Sequence, residues 1–175
     1  CCTVTLQAGC TGTWTSGGVC TVNPCGTPAN DDCSAAIALS LGVQVSGDTC
    51  NATLDGVEPA PSCQGLHGKS VWYSFAAPAT AAYSLTACGS AFDTIITVFE
   101  GTCGALTQVT GGCDDDACDG ITPPGSGLAS VIATLNLNAG TTYLVRMSSF
   151  GTAPAGGQFV LTVNNNDFRI TIIAN

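Results

Sequence analysis

The stretch KSVWYSFAA, residues 69–77, decides the fold class of this protein. It is rich in aromatic and β-branched residues, which fit the pleated, half-buried surface of a β-sheet. Trp72 and Ser74 fall on one face of an extended chain, and Tyr73 and Phe75 fall on the other. The stretch therefore predicts a β-strand.

Seven other segments share this composition, and Gly, Asn, Pro or Cys-containing turns separate them. In one of them Tyr143 and Val145 alternate with Leu144 and Arg146. About eight strands at this spacing predict an all-β fold, an antiparallel β-sandwich or jelly roll. Only SAAIALSL (34–41) is predicted to form a short helix. The strand segments are GVQVSGDT (42–49), KSVWYSFAA (69–77), TAAYSLTA (80–87), FDTIITVFEG (92–101), ALTQVT (105–110), LASVIATLNL (128–137), TTYLVRMSS (141–149) and GQFVLTVN (157–164).

Residues 1–27 hold five of the twelve cysteines, and TGTWTS and VCTV flank Gly17-Gly18, a two-residue hairpin signal. This piece is too short for a core of its own, so we expect a small disulfide-stapled module. An even number of cysteines favours disulfides and an oxidising compartment, hence a secreted or cell-surface protein. Zinc is the competing interpretation, but the paired Cys-x2-Cys spacing of zinc sites is absent. The remaining domains are expected at residues 28–165, the sandwich, and 166–175, an extra C-terminal strand.

Charge excludes several classes of partner. Charged residues make up 9% of the chain, against roughly 25% in an average domain. The net charge is -9, and the only bases are Lys69, Arg146 and Arg169. Nucleic acids and anionic membranes need clustered bases, so we expect neither as a partner. No apolar run approaches the roughly 20 residues of a membrane span, and because the chain begins at Cys1 we expect that any signal peptide has been removed.

Four of the twelve acidic residues lie in CDDDACDG, residues 113–120. Ca2+ takes six to eight oxygen ligands, commonly carboxylates and backbone carbonyls. Asp114, Asp115, Asp116 and Asp119 could supply several of them. A Cys113–Cys118 disulfide would hold this loop in shape. The alternative is a solvated acidic turn that improves solubility.

Several segments, taken in order, resemble the bacterial pre-peptidase C-terminal domain. They are NDDCSAAIAL (30–39), GVQVSGDT (42–49), SVWYSFAA (70–77), CGSAFDTIITVFEGTCGAL (88–106), AGTTYLVRM (139–147) and GGQFVLTV (156–163). This family consists of non-catalytic β-sandwich modules of secreted proteases and bacterial surface proteins, and the resemblance covers roughly residues 28–165.

The resemblance implies a second calcium site, because acidic residues at the start of such modules can bind this ion. Asn30 and Asp31 match those positions, and Asp48 is a further candidate ligand. The alternative is that an Asx side chain caps the segment 34–41. The family often has an acid before the WYSF strand, whereas Lys69 and Ser70 stand there in this chain.

Catalysis has little support in the sequence. The only histidine, His67, lies in a Gly-flanked loop and is expected to be exposed, and there is no Gly-x-Ser-x-Gly motif. Trp72 is expected in the core rather than on a sugar-binding face. Asp93 and Arg146 are expected to form structural ion pairs rather than a catalytic site. Because no catalytic motif is present, we expect a protein without enzymatic activity.

The pairing of the cysteines and a possible glycosylation site complete the list of candidate features. The local disulfide pairs are predicted as Cys88–Cys103 and Cys113–Cys118, and one of Cys33, Cys50 and Cys63 is expected to pair with the N-terminal module. Asn51 begins a glycosylation sequon, Asn-Ala-Thr.

The last nine residues, DFRITIIAN (167–175), form one more β-prone run with Phe168, Ile170 and Ile172 on one face. They could pair in their own sheet or on the edge of a neighbouring copy. The sequence thus favours a structural subunit of a bacterial surface layer or filament. The alternative is an accessory module of a larger secreted enzyme that binds polysaccharide or protein.

Overall fold

A computed structural model describes residues 26–54, 58–118, 128–151 and 156–167. Within these ranges the chain forms nine β-strands. The strands are β1 (Ile37–Ala38), β2 (Val45–Asp48), β3 (His67–Ala76), β4 (Ala81–Thr86), β5 (Thr94–Thr102), β6 (Ala105–Asp114), β7 (Val131–Leu137), β8 (Thr142–Phe150) and β9 (Gln158–Asn165). Within these ranges, no helical segment has the length and hydropathy that a membrane-spanning helix needs. Most of the expected N-terminal module, residues 1–25, lies outside the described residues.

The strands build two sheets that pack face to face. One sheet has the order β1-β3-β8-β5-β6, and the other has the order β2-β9-β4-β7. Every described pairing is antiparallel except that of β1 with β3. The predicted all-β sandwich is confirmed, with one short parallel strand added at an edge.

The core lies between the sheets, where the alternation read from KSVWYSFAA places Tyr73 and Phe75. The Phe75 ring meets Tyr83 edge-on at 5.3 Å, and the Tyr73 ring meets Phe159 in the same way at 6.1 Å. Such T-shaped pairs add to the burial of apolar area, because the positive ring edge faces the negative ring face. Trp72 is also fully buried, as predicted, but it lies on the opposite face of β3 from Tyr73.

The predicted short helix at 34–41 is wrong. Cys33–Ala35 form a single 3-10 turn, and the chain then extends into β1. Ile37 and Ala38 pair with β3, and the Leu39 N–H donates to the Ser74 carbonyl at 2.8 Å. The open edge of β3 satisfies these backbone groups, and Leu39 joins the core, so tertiary pairing outweighs the local helix preference of the alanines.

The predicted disulfide pairs Cys88–Cys103 and Cys113–Cys118 are also wrong. The bridges between described residues are Cys33–Cys103, Cys63–Cys113 and Cys88–Cys118. Each bridge joins elements 30 to 70 residues apart that the sheet brings together, whereas the prediction considered only nearby cysteines. Cys50 is disulfide-bonded as well, to a partner outside the described residues.

Candidate functional site

Three carboxylates meet at one end of the five-stranded sheet. Asp93 directly precedes β5, and Asp115 and Asp116 directly follow β6. Because β5 and β6 are antiparallel, the start of one strand and the end of the other lie side by side. One carboxylate oxygen from each residue lies within 4.8 Å of the others. We refer to these three residues as the acidic cluster.

The other aspartates of CDDDACDG stand apart from this cluster. Asp114 Oδ2 accepts the backbone N–H of Val131 at 2.7 Å and that of Ala117 at 3.2 Å. Asp114 therefore fixes the turn that leaves β6 and ties it to the start of β7. Asp119 lies outside the described residues. The structure thus brings Asp93, which the sequence suggested only as an ion-pair residue, to the two central aspartates of the loop.

Two oxygens of the acidic cluster have no hydrogen-bond partner. They are Asp93 Oδ1 and Asp115 Oδ1, and both are shielded from solvent. Asp115 Oδ2 accepts a hydrogen bond from Gln64 Nε2 at 3.0 Å. Unpaired buried carboxylate oxygens are costly, so a cation or a proton at this position would be favourable.

Burial and neighbouring negative charges raise the pKa values of Asp93 and Asp115. Partial burial and the charges of Asp115 and Asp116 raise the pKa of Asp93 to about 6. The pKa of Asp115 is also raised, mainly by burial, although the hydrogen bond from Gln64 opposes that shift. The donor set consists entirely of oxygen atoms, which is the chemistry that a hard cation such as Ca2+ prefers. The residues present therefore fit part of a calcium site.

The residues of the second predicted calcium site form hydrogen bonds with other parts of the chain. Asn30 Nδ2 donates to the Trp72 carbonyl at 2.8 Å, and Asp48 Oδ1 accepts the Cys50 N–H at 2.6 Å. Asp31 accepts hydrogen bonds from both the N–H and the hydroxyl of Thr53. The side chains of Asn30, Asp31 and Asp48 are thus hydrogen-bonded to three different residues, Trp72, Thr53 and Cys50. Asp32, the residue before the 3-10 turn, makes no side-chain capping hydrogen bond.

Asn30 and Asp48 also line a cavity of about 360 Å3 between the sheets, beside β1 and β2. Its wall includes Tyr73 and Phe159, and Asn51 of the predicted sequon lies at the same cavity. The cavity combines apolar rings with several polar groups. Its size falls in the range of small-ligand sites, roughly 300–1,000 Å3.

A buried ion-pair network covers the outer face of the five-stranded sheet. Arg146 Nη1 lies 3.3 Å from Glu58 Oε2 and donates to the Pro59 carbonyl at 2.8 Å. The guanidinium lies 5.6 Å from the Trp72 ring centre and 5.2 Å from that of Phe99. The prediction that Arg146 is matched to a carboxylate is confirmed, and its partner is Glu58.

Glu58 is the centre of that network. Its Oε1 accepts the Ser70 hydroxyl at 2.7 Å, and its Oε2 lies 3.0 Å from His67 Nε2. Burial by itself would raise the pKa of Glu58, but the hydrogen bonds from His67 and Ser70 and the Arg146 charge lower it below its ordinary value. Burial lowers the pKa of Arg146 to about 10, against the opposing effect of Glu58.

The expectation that His67 is exposed is wrong, because its side chain is buried and is 7% accessible. No sequence motif marks Glu58 as the centre of this network. The only available signal was the small number of bases, since a chain with three bases must neutralise a buried arginine with some carboxylate.

No family model and no curated protein matches the chain. Among solved structures it is similar to the pre-peptidase C-terminal domain of collagenase from Bacillus anthracis. The TM-score is 0.43 at 12% sequence identity, and the similarity covers 73% of this chain and 93% of that domain. Membership of the pre-peptidase C-terminal family therefore stays a prediction, and the fold assignment rests on the sheets described above.

Proposed function

We propose that this protein is a non-catalytic structural subunit of a bacterial surface layer or filament, working in the oxidising space outside the cell. The observation that carries this proposal is the set of three disulfides across the sandwich. The Cys33–Cys103 bridge holds the turn before β6, and the Cys63–Cys113 bridge holds the end of β6. Disulfides persist outside the reducing cytosol, and a cross-linked sandwich resists unfolding when neighbours pull on it.

The low charge supports close association of subunits. Only 9% of the residues are charged, so the surface consists mainly of uncharged polar and small residues. A contact between two such surfaces can form without placing charged residues opposite each other, although the net charge of -9 opposes association at longer range. We propose that subunits join when the C-terminal segment DFRITIIAN of one copy adds to a sheet edge of the next. A head-to-tail contact of this kind propagates into an open filament.

Electron microscopy of the purified protein tests this function, with and without residues Asp167–Asn175. We expect filaments from the full chain and single particles from the truncated chain. A full-length variant with Phe168, Ile170 and Ile172 all replaced by serine should behave like the truncation, because it loses the apolar face. Single particles from the full chain at every concentration would overturn the structural function.

We also propose that the acidic cluster of Asp93, Asp115 and Asp116 holds Ca2+. The two unpaired buried oxygens support this proposal. Backbone carbonyls and water would have to complete the ligand shell. A bound ion would neutralise the mutual repulsion of these carboxylates and thereby stabilise the turns before β5 and after β6.

Thermal unfolding in EDTA and in millimolar CaCl2 tests this site. We expect calcium to raise the midpoint of the wild-type protein by several degrees, and we expect Asp116→Asn to lose most of that increase. Asp32→Asn is the control, because Asp32 is an exposed aspartate that lies outside the cluster. Equal increases in all three proteins would show that calcium acts elsewhere.

The second candidate function is a binding module for polysaccharide or protein, and the cavity beside β1 and β2 favours it. Against sugar binding, Phe150 is the single aromatic among the exposed large hydrophobic residues in the described ranges. A panel of soluble oligosaccharides in titration calorimetry tests this function. Ser46→Trp should abolish any binding, because Ser46 is an exposed residue that lines the cavity. Binding that survives this change would place the ligand at another surface.

A further inference from the structure

We propose that the outer edge of β6 is the acceptor for the C-terminal segment of a second copy of this chain. This inference rests on the proposed assembly by strand addition and names the surface that receives the strand. We refer to residues 105–110 of β6 as the acceptor edge; the first four of them, Ala105–Gln108, pair regularly with β5. The donor is the segment 168–175.

The acceptor edge has backbone groups available for a new strand. β6 is the outermost strand of its sheet, and β5 is its single partner there. In the part of the chain that the structure describes, no other hydrogen bond involves the backbone N–H or carbonyl groups of residues 105–110. An edge of this kind is a template for pairing with another chain.

The acceptor edge lacks two of the features that usually protect edges, and the loop at Ser62 and Cys63 is fastened to β6 through the side chains of Gln108 and Cys113 rather than through the backbone of the edge. From Ala105 to Cys113 the strand has no charged residue and no proline. Natural edge strands are commonly protected by Lys, Pro, a bulge or short length. The pairing of β6 with β5 shifts its register between Gln108, which lies opposite Phe99, and Cys113, which lies opposite Thr97. Gly111, with a φ of 76°, lies in this irregular stretch. The regular pairing therefore ends at Gln108, and the second half of the acceptor edge lies in the irregular stretch.

The other edges are less suitable. β1 has two residues and β2 has four, whereas β6 has ten. On β7, Asp114 Oδ2 accepts the Val131 N–H, and Asn166 Nδ2 donates to the Ala133 carbonyl. Side chains therefore already engage two backbone groups of the remaining edge strand.

The distance that the C-terminal segment must span favours pairing with β6 of a second copy over pairing with β6 of the same copy. β9 lies inside the other sheet, between β2 and β4, and the Asn166 N–H still donates to the Ala82 carbonyl. To reach its own β6, the chain must pass β4 and β7, about 10 Å, and cross about 10 Å between the sheets. This path of roughly 14 Å consumes about four residues at 3.3–3.6 Å each. Phe168 and Ile170 would then be linker, whereas a neighbouring edge can receive the whole segment.

A mixing experiment tests the acceptor edge. The edge variant is Thr107→Lys/Thr110→Lys, which places two lysines on exposed positions of β6. The donor variant lacks residues 168–175. The matched control is Thr134→Lys/Asn136→Lys, with the same added charge on exposed positions of β7. Multi-angle light scattering gives the mass of each sample, and near-ultraviolet circular dichroism checks that each variant is folded.

We expect the wild type and the β7 control to form filaments and each of the other variants alone to be monomeric. An equimolar mixture of edge and donor variants should form dimers that do not grow, because one copy can only donate and the other can only accept. Filaments from the edge variant that match wild type would overturn the acceptor edge and leave strand donation intact. Monomeric wild type would instead overturn the proposed function.

Hydrogen exchange provides a readout that needs no variant. In wild-type filaments, amides within residues 105–110 should exchange at least tenfold more slowly than in the donor variant. Amides of Val131–Leu137 in β7 should change little. Slowing in β7 with no change in β6 would place the contact on the other sheet and overturn the inference.

Discussion

Arg146 and Glu58 form a buried ion pair between residues 88 positions apart in the sequence, with 3.3 Å between Nη1 and Oε2. Their side chains are 0% and 4% accessible. Arg146 Nε and Nη2 have no hydrogen-bond partner, so Glu58 is the single carboxylate that neutralises this guanidinium among the described residues. The pair holds the segment before β3 against the outer face of the five-stranded sheet.

Removal of the Glu58 carboxylate should destabilise the protein strongly. Glu58→Ala leaves a buried charge without compensation, which costs about 3–5 kcal/mol. Glu58→Gln should cost less, because an amide can still accept a hydrogen bond from Ser70. Urea unfolding measures both variants. Glu100→Ala is the control, since Glu100 is an exposed residue of β5 and should change the free energy by no more than about 0.5 kcal/mol. Equal effects of Glu58→Ala and Glu100→Ala would contradict the structural importance of the pair.

Stability should depend on pH through Asp93. Its pKa is raised to about 6 in the folded protein, so its contribution is fully present below about pH 4 and is lost as the pH rises through 6. In EDTA, we expect the free energy of unfolding to fall by about 1 kcal/mol between pH 5 and pH 7, after allowance for solvent screening. Asp93→Asn should remove most of this fall, and the raised pKa of Asp115 accounts for what is left, whereas the Asp32→Asn control should keep the full fall. Urea unfolding at several pH values measures the difference.

Glu58 should change the free energy of unfolding in the opposite direction, and at lower pH than Asp93. Its pKa is lowered in the folded protein, so its contribution is present above its ordinary pKa of 4.5 and is lost as the pH falls through the folded value. The two effects therefore occupy different pH ranges. A wild-type curve that rises steadily from pH 5 to pH 7 would contradict the Asp93 prediction.

Loss of the Cys63–Cys113 disulfide should cost about 4 kcal/mol by the chain-entropy estimate for a 50-residue loop. The bridge also holds the segment in which Gln64 donates to Asp115. Cys63→Ser/Cys113→Ser should therefore lower both the unfolding midpoint and any response to calcium. Cys33→Ser/Cys103→Ser is the control, because it removes a comparable loop constraint of 70 residues without touching Gln64. If both variants keep the full calcium response, the bridge does not support the acidic cluster.

Gly47→Ala should destabilise the sandwich by about 1–3 kcal/mol, the usual range for overpacking. A Cβ at this position would collide with the Phe159 ring and crowd the Tyr73 hydroxyl. Gly65→Ala is the matched control, because no atom lies within 4 Å of its added Cβ. Differential scanning calorimetry should show a lower midpoint for Gly47→Ala alone. A normal midpoint would mean that β2 shifts away from the core without cost.

Sequence patterns predicted the eight strand segments closely, because the period of two in KSVWYSFAA and TTYLVRMSS reflects the same burial that forms the core. They failed at residues 34–41, where local alanines suggested a helix but the open edge of β3 offered hydrogen bonds to an extended chain. They also failed for the disulfides, because proximity along the chain says little about which strands become neighbours in a sheet.

The candidate site shows the same division. The sequence located Asp115 and Asp116, because four aspartates in eight residues are a local feature of an otherwise uncharged chain. Asp93 joined them only through the antiparallel pairing of β5 and β6.

By itself, then, the sequence determined the strands and the acidic loop, since composition and short-range alternation carry that information. The tertiary structure decided the partner of Arg146, the pairing of the cysteines and the free edge of β6. Those features depend on strand order, and strand order follows from the packing of residues far apart in the chain.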